Sequence, residues 1–155
     1  DRALIDEALV LIDKALRHRA PDPFQIQAAI AALHARAATA AETDWVEIDL
    51  LYQTLERLQP SPVVRLNRAV AVSKREGPEA ALALIEPLAE KLDGYFYFHG
   101  LRGGLLKQLG RYAEAHQAFD RAIALATTSA EAAHIRQHLD SMQREAAGGA
   151  MFPAP

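Results

Sequence analysis

The chain has 155 residues, of which half are hydrophobic, 24% charged and 6% aromatic, with a formal net charge of −3. That composition excludes a disordered tail and an aromatic-rich β-sandwich, and it lacks the basic excess of a free-standing nucleic-acid binder. With no cysteine, disulfide frameworks, zinc–cysteine sites, iron–sulfur clusters and thiol catalysis drop out, and 32 alanines point to an all-α fold.

In chain order the punctuation predicts helix after helix. Residues 2–19 carry Leu4, Ile5, Ala8, Leu9, Ile12, Ala15 and Leu16 at amphipathic spacing. Asp22 reads as an N-cap with Pro23 at the first helical position, opening a helix to about Ala38 that frays into Thr39-Ala40-Ala41-Glu42. Thr43 or Asp44 caps a third helix bearing Trp45, Ile48, Leu51, Tyr52, Leu55 and Leu58, with Trp45 expected to be buried and Asp44, Glu47 and Asp49 read as charges answering the helix macrodipole.

Ser61-Pro62 repeats the cap-plus-proline start for a helix from Val63 to about Glu76. Arg65, Asn67 and Arg68 break the alternation that a strand would need there. Gly77-Pro78 interrupts the chain before a fifth helix, 79–92, that Pro87 should kink. The sixth, 95–109, holds Gly100, Gly103 and Gly104, which need a packing reason because a glycine inside a helix costs about 1 kcal/mol against alanine. Gly110 stops it, and a seventh helix places Tyr112, Ala115, Phe119, Ala122 and Ile123 on one face. Thr128 and Glu131 read as a capping box for an eighth, polar helix, and 148–155 as a disordered tail.

Residues 99–126 place Gly103, Leu109-Gly110, Tyr112, Ala115, Phe119 and Ala122 at the spacings of a tetratricopeptide repeat. Degenerate copies fall near 62–92 and 24–60. The expected architecture is a single domain over 1–147, a right-handed α-solenoid of about eight antiparallel helices in tetratricopeptide-like hairpins.

Chemistry is sparse in this pattern. His134 and His138 share a helix face but have neither a neighbouring catalytic glutamate nor a third ligand, and the serines stand outside any nucleophile context. No enzymatic activity, metal or cofactor is expected. The candidate partner-binding residues are the polar side chains in the first helix of each hairpin, Gln27, His34, Asn67, Arg68, His99 and Arg102, against the alternative that they brace the structure. Asn67 and Arg68 point about 100° apart, so only one can face a groove.

The ordered segments Asp1-Arg2-Ala3-Leu4-Ile5, Gln25 to Ala35, Thr43-Asp44-Trp45 and Ser61-Pro62-Val63-Val64-Arg65-Leu66-Asn67-Arg68-Ala69-Val70-Ala71-Val72, followed by Gly77-Pro78, resemble the tetratricopeptide-like C-terminal extension of bacterial extracytoplasmic-function (ECF) RNA polymerase sigma factors. The likeness covers roughly residues 1–140, and the six polar residues stand at positions of that family's recurring polar set. Gly104 departs from it, since an acidic residue is usual there. The resemblance implies a regulatory, cytoplasmic segment of a longer protein. Its partners would be the sigma factor's own DNA-binding domains, core RNA polymerase or another regulator. DNA would be met only through domains that precede it, and no membrane would be involved. A stand-alone peptide-binding scaffold and a small-ligand sensor are the alternatives.

Overall fold

A computed structural model describes residues 2–17, 22–37 and 43–151. Among these residues every regular element is helical and no strand occurs. They are α1 (Arg2–Arg17), α2 (Pro23–Arg36), α3 (Trp45–Leu58), α4 (Pro62–Glu76), α5 (Pro78–Ile85), α6 (Phe96–Gln108), α7 (Tyr112–Leu125) and α8 (Ser129–Met151), with a 3₁₀ turn at Glu86–Leu88. The expected fraying at Thr39 to Glu42 lies outside the described residues. So does the tail beyond Met151, whereas α8 continues four residues past the expected boundary at 147 on the strength of Glu145-Ala146-Ala147.

The chain forms two compact units, Asp1–Arg75 and Glu76–Pro155. In the first, the Asp22 carboxylate accepts the Phe24 N–H at 2.7 Å while Gln25 Oε1 accepts the Asp22 N–H at 3.1 Å, a reciprocal cap that starts α2. Asp44, rather than Thr43, caps α3 by accepting the Glu47 N–H at 3.0 Å. Ile26, Ile30 and Leu33 of α2 meet Ile48, Leu51 and Leu55 of α3 and Val64 and Ala71 of α4 in one buried cluster, with Leu9 of α1 packed against it. Ile5 and Leu9 are half-buried, whereas Leu4, Val10 and Leu11 are exposed.

In the second unit the fifth helix ends at Ile85, well short of Leu92, because Pro87 removes an N–H and the chain tightens into the 3₁₀ turn instead of bending. Gly110, at φ +74°, turns α6 into α7. The two helices press together where a Cβ on Gly103 would lie 2.6 Å from the ring of fully buried Phe119. Small-against-aromatic packing is therefore the reason for a glycine in mid-helix. Tyr112 is not covered with the other residues of its predicted face. It lies at the surface and donates its hydroxyl to Glu145 at 2.9 Å. The cap of α8 is shared, with Thr128 Oγ1 accepting the Glu131 N–H and the return bond to Glu131 coming from the Thr127 N–H.

Candidate functional site

Two of the six candidate residues, Gln27 and His34, lie seven apart on α2 and therefore share a face. Asn67 of α4 joins them. Gln27 and Asn67 line a depression of about 450 Å³ whose floor includes Ile30, Tyr52, Leu55 and Val63. His34 and Asn67 line an adjoining recess of about 140 Å³ with Trp45, Tyr52 and Val70. Tyr52 and Asn67 belong to both, so the two form one groove across α2, α3 and α4.

The His34 and Trp45 rings meet edge to face at 5.5 Å and 72°. Trp45 is accordingly half-buried, not buried: it packs against the core cluster while also lining the recess. Burial raises the Tyr52 phenol above its ordinary 10.0, so the hydroxyl stays protonated and able to donate. Gln27 and Asn67 are both exposed, and among the described residues no buried side-chain polar atom lacks a partner. The amides of Gln27 and Asn67 thus open onto the groove rather than being trapped beneath it.

Arg68, the next residue, has a different task. Its Nε donates to Asp49 Oδ1 at 2.8 Å and its Nη1 lies 3.6 Å from Glu56. Arg75 reaches the other oxygen of Asp49, and Arg65 donates to Glu56 at 2.7 Å. Asp49 is almost wholly buried, which corrects its reading as a macrodipole charge: it faces α4, not the solvent at the start of α3. Burial alone would raise its carboxyl, but the hydrogen bond and charge of Arg68, together with Arg75 and Gln53, outweigh that and hold it below its ordinary 3.8. Asp49 and Glu56 are seven residues apart, as are Arg68 and Arg75, so opposite charges at one-heptad spacing on successive helices were the available signal.

His99 and Arg102 lie in the second unit, where each has a partner of its own. His99 is buried, and its Nε2–H donates to the Asp93 carbonyl at 2.6 Å, tying α6 to the turn before it. Arg102 donates to Glu86 at 2.7 Å. On α8, His134 and His138 meet edge to face at 5.0 Å, and His138 stacks on Phe119 at 5.1 Å. No group of three or more potential metal ligands occurs among the described residues. No described helix is long and apolar enough to cross a membrane.

An uncharacterized protein of Rhizobium meliloti (strain 1021) is 74% identical to the chain over 146 residues, or 94% of it. The chain spans about a third of that relative's length. It matches no family model and no solved structure.

Proposed function

We propose that the chain is the regulatory extension of an ECF-type RNA polymerase sigma factor, a cytoplasmic protein-contact module that modulates transcription initiation. In this reading its helices continue as tetratricopeptide-like hairpins of a right-handed α-solenoid. The groove that gathers Gln27, His34 and Asn67 carries the proposal, because exposed amides beside apolar and aromatic side chains suit contact with another polypeptide. The negative net charge leaves DNA contact to other domains. The relative's length supports the reading too, since about two thirds of it lies outside the matched segment, ample for promoter-reading and polymerase-binding domains.

The test uses the full-length protein, wild type and Gln27→Ala/Asn67→Ala. With core polymerase, the wild type should initiate at its cognate promoter, and the double variant should change initiation severalfold while melting within about 1 °C of the parent. A full-length protein that neither binds core polymerase nor supports initiation overturns the assignment.

A second reading, a small-ligand sensor, has one observation in its favour. A cavity of about 480 Å³, within the range of ligand pockets, opens between α1, α2 and α3, with Leu9, Leu33 and Leu51 beneath Arg2, Arg36 and Glu47. A ligand held there raises the melting temperature by mass action, so a metabolite screen by thermal shift checks it.

A further inference from the structure

The groove across α2, α3 and α4 is uncharged. Not one residue lining the larger depression or the recess is Asp, Glu, Lys or Arg, in a chain of which 24% is charged. Five ionised side chains of α3 and α4 are instead gathered outside its lining, in the ion pairs among Asp49, Glu56, Arg65, Arg68 and Arg75. A neutral, partly apolar lining gives nothing back for the desolvation of a phosphate, a carboxylate or an ammonium, so it selects against charged occupants.

The polar groups that remain are the primary amides of Gln27, Gln59 and Asn67, the hydroxyls of Ser61 and the protonated Tyr52, and the His34 imidazole. Each primary amide offers both donor and acceptor, the same pair that a peptide group presents. A helix consumes those main-chain groups internally, whereas an extended strand leaves them free. Gln27 and His34 are separated by seven residues of helix, about 10 Å, which an extended chain covers in about three residues at roughly 3.3 Å each. Side chains of such a segment alternate. Two residues spaced i and i+2 would therefore reach the groove together, one entering the recess of His34, Trp45, Tyr52 and Val70 and the other the floor of Ile30, Leu55 and Val63. The recess, at about 140 Å³, is of a size for one aliphatic side chain.

From this geometry we infer that the groove takes an extended, uncharged segment of a partner protein carrying two aliphatic residues two positions apart, its main chain held by Asn67 and Gln27. The inference rests on the reading that this groove meets another protein, and it names the chemistry of what is met.

Trp45 is the chain's single tryptophan and lines the recess, so its fluorescence reports occupancy directly. The probe is the capped peptide acetyl-Gly-Ser-Leu-Ser-Leu-Ser-Gly-amide, titrated into the 155-residue chain. Two comparison peptides replace the middle serine by aspartate or separate the leucines by two serines. The first should give a saturable change and the comparison peptides binding at least about tenfold weaker. Asn67→Ala, losing one or two hydrogen bonds, should weaken the first by about tenfold. Val70→Phe fills the recess from an exposed position and should abolish the response with unchanged melting. No saturation up to millimolar peptide, equal binding of the three peptides, or wild-type binding by both variants overturns the inference. If the transcription assay responds to Gln27→Ala/Asn67→Ala while the peptide does not bind, the sigma-factor reading stands and this one falls. If the peptide binds while transcription is indifferent to the double variant, this inference stands and the groove's role in initiation falls.

Discussion

Asp49 is 2% exposed and yet ionised, because Arg68 and Arg75 meet its two oxygens from α4. The side chains of those arginines remain 24% and 30% exposed, so on loss of the carboxylate they regain much of their hydration. Asp49→Ala should therefore cost about 2 kcal/mol rather than the larger penalty of two stranded buried charges, measurable by urea titration followed at Trp45. The sign of the pH dependence follows from its depressed pKa. An unfolded aspartate holds its proton up to about pH 3.9, so the stabilisation is complete above that value and is lost as pH falls through the lower folded one. Asp49→Asn should flatten the stability profile of the first unit below about pH 4, and a profile identical to the parent's would remove the carboxylate from the account.

The hairpin of α6 and α7 is the element in which sequence and structure agree most closely. A glycine inside an otherwise good helix demands a close approach, and Phe119 supplies it. Gly103→Ala should cost about 1–3 kcal/mol by overpacking, because the ring it strikes is fully buried and has nowhere to swing. Phe119→Leu placed on that background should recover part of the loss. An alanine variant that melts with the parent would show that the helices do not press together there. Helix starts were equally legible, since Asp22-Pro23, Asp44 and Thr128 act through neighbours one to three residues away. What the sequence left open was the meaning of a polar residue on an inner face, because its partner lies on another helix. Asn67 and Arg68 are adjacent, but one opens onto a groove while the other is locked to Asp49, nineteen residues distant. His99 and Arg102 fit the same groove pattern on paper, and in the structure they hydrogen-bond to Asp93 and Glu86.

At the scale of the whole molecule, the two units carry differently placed titrations. Burial, helped by Lys107 and His134, lowers the His138 imidazole below its ordinary 6.5. A histidine held neutral in the fold loses stability to the unfolded state as pH drops below 6.5, until the folded form is protonated as well. The shifted groups of the first unit, Asp49 and Tyr52, titrate outside that window. Lowering the pH from 7 to 5 should therefore destabilise the second unit first. Thermal melts at pH 5 should show helix loss by circular dichroism beginning below the transition seen by Trp45, which lies in the first unit, and His138→Phe should close the gap. Coincident transitions at both pH values would mean that the units unfold as one. The ion pair between Arg68 and Asp49 also sets the azimuth of α4 about its own axis. Each residue advances that axis by about 100°, so inserting one residue between Asn67 and Arg68 while Asp49 kept its grip on the guanidinium would bring a different side chain to the groove mouth. The selectivity of this surface is thus keyed to a latch on its far side, and relatives could exchange one ligand chemistry for another by re-phasing a single helix without repacking the core.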